Sequence, residues 1–229
     1  MPALPAAVVF DLDGTLVDSA PDLQAVLATM LGDQGLSIPS VGAVRGMVGE
    51  GARVLVQRAW RAAGRDPGTE ELDRLHRRFV SLYEANPCRF TTVFPGVADA
   101  LDRLSDAGVR LALCTNKPQR PTELLLDAVG LARKLRVVVG GDHLPVRKPD
   151  PAMLLTVLER LGVGPARAVM VGDSPIDLET ARAAGVPVVL VSFGYTTIPA
   201  RELGADMVID HFDELDDALR SLDSAGGAA

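Results

Sequence analysis

Cysteine and histidine are scarce in this chain of 229 residues. The two cysteines, Cys88 and Cys114, are far apart and form no Cys-x-x-Cys motif. A disulfide framework is therefore excluded, and such low cysteine usage is typical of a reducing compartment. The three histidines match no metal-binding motif, so we expect structural or surface roles for them.

An excess of positive charge is also absent, since 30 acidic residues outnumber 23 lysines and arginines. The net charge is −7 and the pI is near 5.0, so there is no basic excess to attract nucleic acid or an anionic membrane. The longest uncharged segment, 183–200, contains two prolines and two glycines and is unsuited to a membrane span. No basic residue precedes the short apolar run at the N-terminus, as a signal peptide would require. We expect a cytoplasmic protein with no nucleic-acid and no membrane partner.

An apolar run followed by two acids lies near the N-terminus. Residues 6–19 read Ala-Ala-Val-Val-Phe-Asp-Leu-Asp-Gly-Thr-Leu-Val-Asp-Ser. The apolar run predicts a strand buried on both faces of a parallel sheet. Asp11 and Asp13 follow it, at the edge where such sheets bind ligands, and Gly14 allows a sharp turn beside them. Two adjacent acids are tolerated where a cation joins them, so the stretch indicates a metal and phosphate site. An ordinary Asp-Gly turn is the alternative.

The rest of the chain predicts an α/β fold with a helical insert. Between residues 20 and 88 the apolar spacing predicts only helices, whereas helices and strands alternate regularly from Phe94 onward. Repeated αβ units predict a Rossmann-like parallel sheet with helices on both faces. We expect a sheet domain of residues 1–18 and 89–229 and a helical cap domain of residues 19–88. No predicted strand is followed by Gly-x-Gly-x-x-Gly, which argues against a nucleotide cofactor.

Polar residues follow several of the later strands. Thr115 and Asn116 come after the strand at 109–114 and could bind phosphate oxygens, although turn formation explains them equally well. Lys148 lies in a loop, where a solvated surface lysine is the ordinary alternative. Asp173 comes shortly after a predicted buried strand and is a candidate metal ligand. Asp177 suits a capping box at the start of the next helix, and it lies within reach of the same side as Asp173.

In chain order these strings read Asp-x-Asp-Gly-Thr, Thr-Asn, Lys-Pro and Gly-Asp-x-x-x-Asp. The order resembles the four motifs of the haloacid dehalogenase-like hydrolase superfamily, and the resemblance covers essentially the whole chain. The helical insert resembles the smallest helical cap type of that superfamily. The resemblance implies a Mg²⁺-dependent hydrolase that acts on a phosphate ester.

The resemblance also implies a role for each motif residue. Asp11 would be the nucleophile that forms an aspartyl-phosphate, and Asp13 would be the general acid and base. Mg²⁺ would be bound by Asp11, Asp173 and the backbone carbonyl of Asp13. The other residues would assist: Thr115, Asn116 and Lys148 at the phosphoryl group, Gly14 and Thr15 in the first motif, and Asp177 at metal-bound water.

Shorter strings resemble those of phosphoglycolate phosphatases. They are Phe-Pro-Gly-Val at 94–97, Gly-Gly-Asp at 140–142 and Phe-Gly-Tyr-Thr at 193–196, many of which related sugar-phosphate phosphatases share. We therefore expect a small phosphate monoester as the substrate, and 2-phosphoglycolate first among them. Arg45, in a glycine-rich stretch of the insert, is a candidate for binding its carboxylate. A solvated loop residue is an equal alternative for Arg45.

Two other functions are compatible with the sequence. A phosphatase or mutase acting on a sugar phosphate would have the same fold, although a mutase more often has Glu-Asp in place of Gly172-Asp173. A receiver-type signalling domain also phosphorylates an Asp beside Mg²⁺, a Thr and a Lys. It lacks a helical cap, however, and has no second acid two residues after the acceptor. The sequence does not indicate an oligomeric state.

Overall fold

A parallel β-sheet runs through the centre of the molecule, in a computed structural model that describes residues 3–226. The strands in this range are β1 (Ala7–Phe10), β2 (Val17–Asp18), β3 (Thr92–Val93), β4 (Arg110–Cys114), β5 (Val137–Val139), β6 (Ala168–Gly172), β7 (Val188–Val191) and β8 (Met207–Ile209). The sheet has six of them in the order β5-β4-β1-β6-β7-β8, so β1 lies inside it. β2 and β3 form a separate antiparallel ribbon.

The strands around β1 end at one edge of the sheet. Phe10, the last residue of β1, is in register with Leu113 of β4 on one side and with Val171 of β6 on the other. The polar residues that follow these three strands are therefore brought side by side. The predicted Rossmann-like parallel sheet is confirmed.

Helices cover both faces of the sheet. The helices in the described range are α1 (Ala20–Gly32), α2 (Val41–Arg45), α3 (Ala52–Ala62), α4 (Thr69–Ala85), α5 (Val97–Asp106), α6 (Gln119–Ala128), α7 (Ala152–Leu161), α8 (Pro175–Ala183) and α9 (Leu215–Gly226). Val8 and Phe10 of β1 belong to the core layer of α5 and α9, whereas Ala7 and Val9 belong to that of α7 and α8. Alternate side chains of a strand point to opposite faces, so a strand covered on both sides is apolar throughout. Across residues 3–226, no helix combines the length and the apolarity needed to cross a bilayer.

The helices α1 to α4 lie between β2 and β3 and have a core of their own. Their buried cluster includes Leu27, Trp60 and Phe79 and contains no residue of the sheet. The helices predicted between residues 20 and 88 are present, and the long ones are α1, α3 and α4. The short helix α2 has no signal in the sequence, because five residues do not show a helical period. The separate core supports the division that we propose, into a cap domain of residues 19–88 and a sheet domain of residues 1–18 and 89–229.

A buried acid joins the entry of the insert to its exit. Asp22 lies in the first turn of α1, shortly after β2. Its carboxylate accepts hydrogen bonds from the backbone N–H groups of residues 89–91, at 2.8–3.1 Å, and from the Thr91 hydroxyl at 2.6 Å. The two chain crossings are therefore held together by charge-assisted hydrogen bonds as well as by the ribbon.

We expect Asp22→Ala to lower the free energy of unfolding by about 3 kcal/mol, because the backbone N–H groups of residues 89–91 and the buried Thr91 hydroxyl lose their charged acceptor. Urea denaturation would measure the change. Asp66→Ala is a matched control, since Asp66 forms an exposed ion pair with Arg61 at 2.9 Å. Loss of such a surface pair costs less than about 1 kcal/mol. Equal losses in the two variants would contradict the role given to Asp22.

Candidate active site

The four predicted motifs converge at the carboxyl edge of the sheet. Asp11 follows β1, Thr115 follows β4 and Asp173 follows β6, and β1 lies between the other two strands. Lys148 reaches this edge from the loop before α7. Its Nζ lies 2.8 Å from Asp11 Oδ1 and 2.7 Å from Asp177 Oδ1.

Lys148 is a buried cation between two carboxylates. Burial by itself lowers the pKa of the Lys148 ammonium group, but Asp11 and Asp177 outweigh this effect and raise it, so the group stays charged. Asn116 fixes the backbone of Lys148. The Asn116 side-chain oxygen accepts from the N–H of Lys148, and its amide nitrogen donates to the carbonyl of Lys148, each at 2.9 Å.

The amide nitrogen of Asn116 also donates to the carbonyl of Gly49 in the insert, at 2.9 Å. Because an amide nitrogen carries two hydrogens, none is left for a phosphoryl oxygen. The contacts of Asn116 thus connect Lys148 to the insert. The predicted contact between this side chain and the phosphoryl group stays a prediction.

Asp177 holds Lys148 and also begins a helix. Its Oδ2 atom accepts hydrogen bonds from the Ser174 hydroxyl at 2.7 Å and from the N–H groups of Ser174 and Asp173, each at 3.2 Å. The expected interaction of Asp177 with the start of α8 is therefore present. A Cβ added to Gly172 would lie 2.4 Å from Asp177 Cβ, so the carboxylate packs directly against the end of β6.

Asp173 is enclosed by backbone that approaches it closely. The N–H of Tyr195 donates to Asp173 Oδ2 at 2.6 Å, and the hydroxyl of Thr15 donates to Oδ1 at 3.3 Å. Gly14 has a φ of +88°, and a Cβ there would lie 2.4 Å from Asp173 Oδ2. A Cβ on Gly194 would lie 2.2 Å from Asp173 Cβ. Both positions therefore require glycine for Asp173 to keep its place.

Asp11, Asp173 and Asp177 form a buried cluster in which one carboxylate oxygen of each lies within 4.8 Å of the others. Asp11 Oδ1 is buried and lies 2.8 Å from the Lys148 ammonium. Burial raises the pKa of Asp11 from its ordinary 3.8 to about 6, an effect that Lys148 opposes and Asp177 adds to. Burial and the two neighbouring carboxylates likewise raise the pKa of Asp173 well above 3.8. This excess of buried negative charge on oxygen ligands fits a divalent cation such as Mg²⁺.

Asp13 has different partners. The Ser19 hydroxyl donates to Asp13 Oδ1, and Lys117 Nζ lies 3.2 and 3.3 Å from the two carboxylate oxygens. The Lys117 ammonium lies 4.3 Å from the centre of the Tyr83 ring, which belongs to α4 of the insert. Burial lowers the pKa of Lys117, but Asp13 and Tyr83 outweigh it and raise the value. The predicted metal contact of Asp13 concerns its backbone carbonyl, and these side-chain contacts leave it a prediction.

Several residues of the site lie outside the predicted set. Ser19 and Lys117 each adjoin a predicted motif, so their positions in the sequence could have indicated them. Tyr195 belongs to the string at 193–196, although that string carries no sign of a contact with Asp173. Tyr83 has no signal of this kind, because its spacing marks it only as a buried residue of an amphipathic helix.

Arg45 forms an ion pair with the end of the β2 strand. Its Nη2 lies 2.6 Å from Asp18 Oδ2, and the other oxygen of Asp18 accepts a hydrogen bond from the Tyr195 hydroxyl at 2.7 Å. The predicted role of Arg45 in binding a substrate carboxylate stays a prediction.

A pocket lies between the sheet edge and the insert. The sheet side includes Asp11, Asp13, Thr115 and Lys117. The insert contributes apolar side chains and glycine backbone, from Val48, Gly49, Gly51, Leu55, Phe79 and Tyr83. One side of the pocket therefore holds reactive groups, and the other is suited to excluding water from a small ligand.

Several known proteins are similar to this chain in sequence and in fold. Residues 5–185 match the family model of haloacid dehalogenase-like hydrolases. The chain is 46% identical over 220 residues to a phosphoglycolate phosphatase of Rhodospirillum rubrum, which covers 94% of this chain and 91% of that protein. The crystal structure of a predicted phosphoglycolate phosphatase from Haemophilus somnus has a TM-score of 0.87 and 34% identity, covering 93% of this chain and 96% of that one. A CbbY mutant from Rhodobacter sphaeroides, in complex with xylulose-(1,5)bisphosphate, has a TM-score of 0.79 and 25% identity, covering 94% and 99%.

We expect Mg²⁺ to stabilise the protein more at about pH 7.5 than at about pH 5. Folding raises the pKa of Asp11 from 3.8 to about 6, so the stability that its protonated form contributes is lost as pH rises through this interval. A bound cation offsets the repulsion among the ionised carboxylates. Calorimetry should show a Mg²⁺-dependent rise in Tm that grows with pH and shrinks in Asp173→Asn. The same rise at both pH values would contradict the cluster as a cation site.

Proposed function

The chain belongs to the haloacid dehalogenase-like hydrolases and is a phosphoric monoester hydrolase, and from this premise we propose that it hydrolyses 2-phosphoglycolate with Mg²⁺ as its cofactor. The observation that carries the proposal is the separation of two acids on one turn. Asp11 lies in the buried cluster with Lys148, whereas Asp13 lies beside the pocket with Lys117. Two acids with different environments suit two different tasks.

The proposed cofactor would be bound by Asp11, Asp173 and the backbone carbonyl of Asp13, with Asp177 supporting them. When bound, Mg²⁺ supplies positive charge that draws in the phosphoryl oxygens. The need for such charge follows from Coulomb's law, since two like unit charges 4 Å apart repel by roughly 4 kcal/mol at an effective dielectric constant near 20. Lys148 supplies part of it, because its ammonium contacts Asp11 directly.

In the first step, the Asp11 carboxylate attacks the phosphorus atom of the substrate. The bond between phosphorus and the ester oxygen breaks as an aspartyl-phosphate forms on Asp11. Asp13 gives its proton to the departing oxygen, which leaves as an alcohol. Lys148 and Thr115 would hold the phosphoryl oxygens, and Asn116 would keep Lys148 in position.

In the second step, water attacks the phosphorus atom of the aspartyl-phosphate. Asp13, now ionised, takes a proton from that water, and the bond between phosphorus and Asp11 breaks. Inorganic phosphate leaves and both acids return to their starting states. This second use of Asp13 favours turnover over the lasting phosphorylation of a receiver-type signalling domain.

The substrate is a small phosphate ester in this proposal, and two lines of support make 2-phosphoglycolate the first choice. Relatives at 46% and 45% identity carry the name phosphoglycolate phosphatase. The pocket side formed by the insert is largely apolar, and it offers a sugar few polar side chains to bind its hydroxyl groups. A sugar phosphate is the second candidate, because CbbY, with a similar fold, is seen with xylulose-(1,5)bisphosphate.

The two acids of the first motif should fail differently when they are substituted. Asp11→Asn should abolish turnover and leave no phosphoenzyme, because the nucleophile is gone. Asp13→Asn should keep the nucleophile but slow each proton transfer by about 10²–10⁴-fold. Rapid quenching with labelled substrate, followed by base treatment, would measure the phosphoenzyme. If the Asp11→Asn variant still formed a base-labile phosphoenzyme, the assignment of Asp11 as the nucleophile would be wrong.

The substrate choice predicts an order of kcat/KM values. The kcat/KM for 2-phosphoglycolate should exceed those for glycerol phosphate and hexose phosphates by at least about tenfold. Only 2-phosphoglycolate has a carboxylate, and one charge-assisted hydrogen bond to it is worth about that factor. Steady-state assays of purified protein with Mg²⁺ would measure the order. A hexose phosphate preferred over 2-phosphoglycolate would overturn the substrate while leaving the phosphatase chemistry intact.

A further inference from the structure

Lys117 is the one cationic side chain among the described residues that line the pocket between insert and sheet. The other charged residues on that lining are Asp11 and Asp13, and the insert contributes no charged side chain to it. Arg45 lies elsewhere, in its ion pair with Asp18. An anionic leaving group that enters this pocket therefore meets the ammonium group of Lys117.

The surroundings of Lys117 hold its charge in place inside the protein. The side chain is buried, and its Nζ contacts both oxygens of Asp13, at 3.2 and 3.3 Å. The Tyr83 ring lies on another side of the ammonium, 4.3 Å away, and an aromatic face attracts a cation. An ammonium group held between a carboxylate and a ring is preorganised, so it loses little freedom when a ligand binds.

The contact with Asp13 also sets the distance to the reacting bond. As the proposed general acid, Asp13 must lie within hydrogen-bond reach of the ester oxygen of the substrate. In 2-phosphoglycolate the carboxylate carbon is only two bonds from that oxygen. Because Lys117 contacts Asp13, its ammonium group lies close to the position that the substrate carboxylate must occupy.

The hydroxyl of Tyr83 adds an independent observation. Tyr83 is 1% exposed and lines the same pocket. Among residues 3–226, no group accepts a hydrogen bond from its hydroxyl, because the neighbouring Lys117 ammonium can only donate. A buried donor without an acceptor costs free energy, so its position calls for a ligand that can accept a hydrogen bond. A carboxylate is a strong acceptor of this kind.

We propose that Lys117, with the Tyr83 hydroxyl beside it, binds the carboxylate of the leaving group and so makes the enzyme selective for carboxylated phosphate esters. The proposal rests on the proposed phosphatase function and gives the choice of substrate a physical cause. It places selectivity at the junction of sheet and insert, where Lys117 comes from the segment after β4 and Tyr83 comes from α4.

The test compares 2-phosphoglycolate with ethyl phosphate, which has the same ester and methylene groups but a methyl group in place of the carboxylate. In Lys117→Met, the ratio of their kcat/KM values should fall at least about tenfold, because a charge-assisted contact to the carboxylate is lost. Tyr83→Phe keeps the ring and should lower the ratio by a smaller factor. Lys148→Met is the matched control, since its lysine contacts Asp11 and should slow both esters equally. Arg45→Ala should keep the wild-type ratio.

Three outcomes would overturn the proposal. If Lys117→Met and Tyr83→Phe slow both esters by the same factor, the two residues only support Asp13. If Arg45→Ala alone lowers the ratio, the carboxylate is bound by Arg45. If the wild-type enzyme hydrolyses ethyl phosphate and 2-phosphoglycolate with equal kcat/KM, both the proposed substrate and the proposed carboxylate-binding role of Lys117 and Tyr83 are wrong. Should Lys117→Met fail to fold by circular dichroism, the ratio in Tyr83→Phe decides.

Discussion

Three carboxylates are buried together in this protein beside one lysine that contacts two of them, and the need to compensate their charge constrains the structure around them. Each carboxylate is held by partners that leave it little freedom. Asp177 is bound by the start of α8, Asp173 by the Tyr195 backbone, and Asp11 by its position at the end of a central strand. Even the lysine is fixed, through the Asn116 amide. These contacts hold the three carboxylates close together in spite of their mutual repulsion. Closely spaced carboxylates in fixed positions are what a cation site requires.

The insert adds a second level of organisation to this edge. It has a separate core, so it packs as a unit, but it reaches the sheet residues through specific polar contacts. The Gly49 carbonyl accepts from Asn116, and the Tyr83 ring covers Lys117. Both contacts connect the insert to side chains that neighbour the reacting groups. The position of the insert and the geometry of the site therefore depend on each other, as in enzymes whose lids complete the catalytic arrangement.

Much of the site could be predicted from the sequence because parallel strands end at one edge. Asp11 and Asp173 each follow an apolar run, and this placement alone brings them together. The remainder depends on contacts that no local pattern records. Arg45 pairs with Asp18 from the far side of helix α1 in the sequence, and the two-residue strands of the ribbon are too short to show alternation. Tyr83 appears only as a core residue until its ring is seen against Lys117.

Tyr195 contacts both the carboxylate cluster and the start of the insert. Its backbone N–H binds Asp173, while its hydroxyl donates to Asp18 and accepts from the N–H of Ala20, at 2.7 and 3.0 Å. The start of the insert is thus tied to a residue that lies far along the chain, in the loop after β7. A chimera that receives residues 19–88 from a relative would inherit the new insert but keep the old Tyr195. Asp18 would stay with the recipient, so the junction would fit only if residue 20 of the donor still placed its backbone N–H against the Tyr195 hydroxyl. Exchange of caps between relatives is therefore limited by a residue outside the exchanged segment.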